Sequence, residues 1–358
     1  MVGRKGGYEI DWYSVRKTDW AGMMGAWAPP FNRINRLPDL YSPFLLRRMI
    51  NRLQPHLIHV HYGYQKMNNL VLAHFKPLLL TVMGGDILPE QGFQGTKAWF
   101  TKKVLDSADL ITSKSSFLDQ ALNRIGNYSH KIRRVTWGVD TQTFRPGLDV
   151  NPLRQKWKIR ADEVVFLCPR ICQPFYNKHV HIEAFALYLR RSGPKAKLII
   201  GELFAENTYQ TRLKALVAEL GLTEDVYFVG ALPHSEMPAY FNLAGIMVAT
   251  PPSDGMPQSL YEAMACGTYP ILGDLPQYQE LVQDGVNGKL VAVGDVQALA
   301  EAMHWAAVHP DHRRIATSMN RQRILEFSDK ETQDHLVNRI YDELIRKYSG
   351  EYDPLRSD

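Results

Sequence analysis

Pro252-Ser253-Asp254-Gly255-Met256-Pro257-Gln258-Ser259-Leu260-Tyr261-Glu262-Ala263-Met264-Ala265-Cys266-Gly267 follows the apolar run Ile246–Ala249 and leads into a helix. A strand, a Gly/Pro loop and a helix in that order form the repeating step of a parallel sheet wrapped by helices. Gly255 lets the backbone approach a ligand closely, and Pro257 suits the first turn of a helix. The amides of Gln258, Ser259 and Leu260 then make an anion site, because N–H groups at a helix start have no intrahelical acceptor. Glu262 follows Gln258 by one turn on the same face, where its carboxylate can accept two ribose hydroxyl hydrogens. Asp254, just before the helix, can accept sugar hydroxyls in the same way. The competing reading is an ordinary solvated helix start; the strand–loop–helix setting favours the binding site.

The same step repeats on either side. Upstream, apolar runs predict strands at Tyr8–Ser14, Leu57–His61, Leu78–Val82, Leu110–Thr112 and Ile132–Thr136, with helices near Pro43–Leu53, Lys97–Ser107 and Ser115–Ile125. A second series runs through Val164–Cys168, Lys197–Ile200, Val226–Val229, Ile246–Ala249, Tyr269–Leu272 and Lys289–Val291. Its helices include His179–Arg191, Thr211–Leu220 and Ser259–Cys266. The pattern is α/β: two doubly wound, Rossmann-like domains facing each other across a cleft. Arg145-Pro146-Gly147 through Asn151-Pro152 has the turn chemistry of a linker, which puts the domains at 1–147 and 148–328. Ligands of such sheets sit at the carboxyl ends of the strands. The start departs from this pattern. Met1–Gly7 is too short for an opening strand, Gly-rich turn and helix, so Tyr8–Ser14 reads as a second strand. The first βα unit is missing: either the true start lies upstream, or this domain has an altered edge.

Composition narrows the class. The chain has 358 residues, 45% hydrophobic and 22% charged, which suits two soluble domains and excludes disorder and collagen-like repeats. No apolar run approaches the ~20 residues of a membrane-spanning helix, and no signal-peptide pattern opens the sequence. Three cysteines, Cys168, Cys172 and Cys266, cannot build a disulfide framework and point to a reducing cytosol. Cys168 and Cys172 with His179 and His181 could be read as zinc ligands, but Cys168 closes the apolar strand Val164–Cys168 and reads as core. A net charge of +5 permits an anionic ligand or membrane surface, and no nucleic-acid-binding signature accompanies it. Around Tyr41–Leu53, Leu45, Leu46, Met49, Ile50 and Leu53 mix with Arg47, Arg48 and Arg52, near Trp27, Phe31, Arg33 and Arg36. This mixture fits peripheral docking on the inner face of an anionic membrane, or an ordinary surface helix with one apolar stripe.

The opening segment resembles the signature of the GT-B retaining glycosyltransferases of family 4, two glutamates separated by seven residues. Asp254 takes the place of the first and Glu262 matches the second. Further stretches are similar in the right order: Gly84-Gly85-Asp86 to the family's His-Gly-x-Asp loop, and Trp137-Gly138-Val139-Asp140 with Phe144 and Pro146 to its interdomain entry. Arg170 resembles its phosphate arginine. Leu220-Gly221-Leu222 with Val226–Gly230 resembles the segment cradling the nucleotide base, and Asp284–Gly288 its late turn. The resemblance covers the chain from about Tyr8.

It implies a retaining hexosyltransferase that takes a nucleotide-diphosphate sugar in the C-terminal domain and a glycan, lipid-linked or small-molecule acceptor in the N-terminal one, as in polysaccharide biosynthesis. The helix Thr332–Tyr348, within 329–358, would cross back to the first domain. It implies catalysis by Arg170, Asp254 and Glu262. Gly84, Gly85, Lys178, Val229, Gly230, Met256, Pro257, Gln258, Ser259 and Leu260 would join Arg170 and Glu262 in holding the donor. His61 and Asp86 would touch the sugar or acceptor. No cofactor or metal is implied: a cation and helix amides offset charge on the leaving diphosphate, and no Asp-x-Asp lies in a suitable loop. Besides Asp254 for glutamate, two substitutions depart from the family. Tyr176-Asn177 stands where it has Lys-Gly, with Lys178 two residues late, and Met83 replaces the loop histidine. A nucleotide-sugar epimerase of the same fold, and a non-catalytic paralogue that only binds nucleotide, are the competing readings.

Overall fold

A computed structural model describes residues 2–5, 8–11 and 37–349. Trp12–Ser14 of the expected first strand lie outside the described residues, as do Trp27, Phe31, Arg33 and Arg36. The chain divides into two compact units. The first takes the described residues up to Lys114, then Leu118–Thr136 and the segment from Asp334; the second takes Ser115–Phe117 and Trp137–Gln333. Arg145–Pro152, read as a linker, therefore lies inside the second unit. There Asn242 donates to the Arg145 carbonyl at 2.9 Å and accepts from the Leu148 amide at 3.2 Å.

The first unit carries a four-stranded parallel sheet in the order β3 (Ile58–His61), β4 (Leu78–Thr81), β5 (Leu110–Ser113), β6 (Ile132–Arg134). All four residues of β4 and of β5 are buried, as expected of strands covered on both faces. β1 (Val2–Lys5) and β2 (Tyr8–Asp11) form a separate antiparallel pair with Val2 opposite Asp11. This corrects the reading of Tyr8 as the second strand of the parallel sheet. The two-residue connection Gly6-Gly7 suffices for a hairpin, whereas a parallel neighbour needs a crossover of roughly a dozen residues. In the helix Leu37–Leu53, Leu45, Leu46, Met49 and Ile50 are half-buried while Phe44, Arg47, Arg48 and Arg52 are exposed. Among the described residues no helix is long and apolar enough to cross a membrane.

The second unit holds six parallel strands in the order β12 (Lys289–Val291), β11 (Tyr269–Gly273), β10 (Gly245–Ala249), β7 (Val164–Cys168), β8 (Ala196–Ile200), β9 (Val226–Phe228). Successive side chains of a strand point to opposite faces, and the apolar runs use both. Phe166, Leu198, Ile246 and Ile271 enter one core, while their neighbours Leu167, Ile199, Met247 and Leu272 enter the other. The chain leaves β7 towards β8 and β9, then returns to lay β10 on the opposite side of β7. The carboxyl ends of β7 and β10 thus flank a switch in strand order, where loops diverge and leave a crevice.

Candidate functional site

Arg170 follows β7 and Asp254 follows β10, so the switch in strand order brings together two side chains 84 positions apart. Arg170 Nη2 donates to Asp254 Oδ2 at 2.6 Å, and its Nη1 reaches Ser259 Oγ at 3.4 Å. The guanidinium lies over the Tyr176 ring, 5.1 Å from its centroid. Burial alone would depress the Arg170 pKa; the Asp254 carboxylate, with Tyr278 and Tyr176, more than offsets this, and the net shift is upward. The guanidinium is therefore held charged. Its Nε is buried with no hydrogen-bond partner among the described residues.

Asp254 is held on all sides. Oδ1 accepts the Gly255 amide at 2.7 Å, Oδ2 also accepts the Tyr278 hydroxyl at 3.1 Å, and the main-chain carbonyl accepts Gln277 Nε2 at 2.7 Å. In this structure the carboxylate grips Arg170 rather than presenting itself to sugar hydroxyls. Tyr278 and Gln277 sit on the short helix Pro276–Gln279, and nothing local in the sequence marks them.

The helix Gln258–Ala265 begins from Pro257, whose backbone is extended at the N-cap rather than helical. Met256 adopts a left-handed φ of 66° and buries its side chain against the second core, which holds that costly geometry in place. Gln258 Nε2 donates to the Gly138 carbonyl at 2.6 Å. Of the three amides expected to face an anion, that of Leu260 is already bonded to the Pro257 carbonyl at 3.1 Å. Gly267, at φ 76°, closes the helix with its amide on Met264 and that of Thr268 on Ala263. Glu262 lies 7% exposed on this helix, and its Oε1 meets His234 Nε2 at 2.8 Å.

Three expected ligand contacts fall elsewhere. Lys178 is fully buried, and its Nζ donates to the Cys168 and Gly201 carbonyls at 2.9 Å each, so it ties the ends of β7 and β8 instead of facing an anion. Burial pulls its pKa down to about 8. Gly230 does lie at the carboxyl end of β9, after Val229, with its amide on Glu202 Oε2 at 2.9 Å. Leu220-Gly221-Leu222, however, precedes β9 and so lies at the amino edge of the sheet, away from any base bound at the carboxyl edge. Asp86 is fully buried in the first unit, accepting the Gly63 amide at 2.6 Å and the Met83 amide at 2.9 Å. Its carboxylate staples two loops and leaves no oxygen exposed to a sugar.

Gly84, at φ 99°, and Gly85 form the turn above Asp86; the Gly85 carbonyl accepts Tyr62 Oη at 3.0 Å and Lys97 Nζ at 2.5 Å. His61 ends β3 with its ring stacked on His59 at 4.2 Å, and burial lowers its pKa to about 4. His59 in turn bonds Thr81 at 2.7 Å and Tyr341 of the helix Lys330–Ser349 at 2.8 Å. The cysteine and histidine group considered for zinc is used otherwise: His179 bonds Tyr209, His181 bonds Thr250, and both cysteines are buried.

Two family models match the chain: Glycosyltransferase Family 4 over residues 11–143 and Glycosyl transferases group 1 over residues 149–323. The sequence is 30% identical over 238 residues to the putative glycosyltransferase EpsD of Bacillus subtilis, 66% of this chain and 58% of that protein. It is 26% identical over 300 residues to a D-inositol 3-phosphate glycosyltransferase of Saccharomonospora viridis, 82% of this chain and 66% of that protein. The chain thus spans less than two thirds of the length of these curated relatives. Among solved structures, Anabaena Alr3699/HepE in complex with UDP and glucose superposes with a TM-score of 0.75 at 21% identity, covering 85% of this chain and 83% of that one. Sucrose-phosphate synthase from Thermosynechococcus elongatus gives 0.74 at 21% identity, covering 90% and 82%. At such identities the likeness is one of fold.

Proposed function

Because this chain belongs to the group 1 glycosyltransferases, we propose that it transfers a hexosyl group from a nucleoside-diphosphate sugar to an acceptor, retaining the anomeric configuration and using no metal. The observation that carries this reading is the arrangement of Arg170 at the start of the helix Gln258–Ala265. A buried guanidinium, gripped by Asp254, sets its Nη1 3.4 Å from Ser259 Oγ in the first turn of that helix. A leaving diphosphate gains charge as the glycosidic bond breaks, and prearranged donors of this kind stabilise that charge without reorganising. Glu262, one turn further on, would receive the ribose hydroxyls. The first unit would take the acceptor, with the exposed Phe44, Arg47, Arg48 and Arg52 supporting contact with an anionic membrane; co-sedimentation with anionic vesicles tests that contact.

UDP is the first nucleotide to try, since the similar Anabaena protein was crystallised with it. Thermal melts against UDP, GDP and ADP test the reading. A nucleotide at 100 times its dissociation constant stabilises by about 2.7 kcal/mol, a plain rise in melting temperature. A cooperative melt that none of the three shifts would sink the donor assignment. With a donor identified, the anomeric configuration of the product by NMR and turnover in excess chelator test retention and metal independence.

A further inference from the structure

Glu262 is the buried member of a pair whose other member is open to water. Its side chain is 9% exposed, whereas that of His234 is 72% exposed. Nε2 faces a carboxylate oxygen, which can only accept, so this nitrogen carries the proton. The imidazole is steadied from another side by Phe144, with ring centroids 5.1 Å apart at 46°. Phe144 is itself 3% exposed and ends a turn capped by Asp140, whose carboxylate accepts the amides of Gln142 and Thr143. His234 also opens the one-turn 3₁₀ helix His234–Glu236, four residues after Gly230. The segments around Phe144, Gly230 and Glu262 thus converge on one imidazole. Only Oε1 of Glu262 takes a hydrogen bond among the described residues; Oε2 takes none.

We propose that His234 is a positioning residue for nucleoside binding, acting through Glu262; the inference rests on the ribose role assigned to Glu262 above. A glutamate has three rotatable bonds, and each one fixed before binding is an entropic cost removed from binding. His234 holds one carboxylate oxygen and leaves the other turned to receive a ribose hydroxyl. A histidine this exposed adds little to the core, so its loss falls on the ligand rather than on the fold.

Calorimetric titration of the full chain with UDP, 2′-deoxy-UDP and inorganic pyrophosphate tests this; GDP or ADP and its 2′-deoxy form replace UDP if the melts single one out. His234→Ala should weaken UDP binding about tenfold, the effect of one lost hydrogen bond to a charged group. It should also erode the preference for UDP over its 2′-deoxy form and leave pyrophosphate binding unchanged. His234→Gln, which keeps an N–H donor, should restore most of the loss. UDP binding and preference unaltered in His234→Ala would overturn the proposal, and so would a parallel loss of pyrophosphate binding. Glu262→Gln separates the two levels. Weakened UDP binding there with none in His234→Ala removes only the role of His234. Unchanged binding in Glu262→Gln removes the ribose role and this inference with it.

Discussion

Arg170 carries the largest share of the proposed chemistry, and its surroundings show why lysine would not replace it. The planar fork bonds Asp254 and Ser259 with its two Nη atoms and lies over Tyr176. Arg170→Ala should lower turnover by ~10²-fold or more, the usual cost of losing one transition-state donor. Turnover equal to wild type would mean that the diphosphate is held elsewhere. Asp254→Asn is a different experiment, because it leaves a buried guanidinium without its counter-charge. Both side chains are mostly shielded, 18% and 8% exposed, so the expected loss is about 3 kcal/mol of stability. Urea unfolding at neutral pH measures it, and a loss below ~1 kcal/mol would show that solvent screens the pair. Asp254 and Glu262 were legible in the sequence because they share one loop and one helix. Tyr278 and His234 were not, being 24 and 28 positions from the carboxylates they touch. Tyr176 was visible only as a lysine position without a lysine.

Two glycines show how differently turns depend on the elements around them. Gly267 ends the helix Gln258–Ala265 at φ 76°, but a Cβ there would meet only Pro146 at an ordinary 3.6 Å. Gly267→Ala should cost ~1 kcal/mol, the backbone strain alone. Gly138 sits at φ 65° with the Lys330 backbone pressed against it, and a Cβ would fall 2.5 Å from Lys330 Cα and 3.1 Å from the Asp329 carbonyl. Neither backbone can yield without breaking the bonds that pair Val139 with Ser328 and Lys330. Gly138→Ala should therefore cost well over ~2 kcal/mol. Thermal melts of the two variants compare them directly, and equal shifts would refute the packing argument. The same elements explain Lys178. It opens the helix Lys178–Leu189 directly beneath the ends of β7 and β8, where two carbonyls point at it. Its position in the sequence put it near the donor, while the helix start put it under the sheet.

Across the molecule, stability should depend on pH through groups that the fold keeps uncharged. Burial lowers the pKa of His61 to about 4 and that of His181 to about 3, and His59 is lowered well below its usual value. Below pH 6.5 the unfolded chain takes up protons that the folded one refuses, so stability is lost as pH falls from 6.5 towards 4. For His61 the span from 6.5 to about 4 amounts to about 3 kcal/mol. Lys178 acts on the basic side, because its folded pKa of about 8 lies below the usual 10.5. The fold bears the cost of its charge below pH 8 and is relieved of it as pH rises towards 10.5. Melting temperatures from pH 7 down to 4, for wild type and His181→Gln, should show a steep acid loss that is shallower in the variant. Superimposable curves would mean that His181 is solvated when charged.

Two Rossmann-like units could be read directly from the chain, since a strand or helix is announced by apolar spacing within one short segment. Every parallel strand of the second unit lies within a residue of its expected bounds for that reason. Tyr8–Asp11 marks the limit of the same rule. Alternation identifies a strand but not its partner, and a hairpin with Val2–Lys5 satisfies it as well as a place in the parallel sheet. The Arg170–Asp254 pair, the His234–Glu262 pair and the burial of Lys178 and Asp86 arose only when separate segments were folded together. Spacing is a property of one stretch of backbone, whereas the partner of a charge and its exposure to water are set by whatever other stretch the fold lays against it.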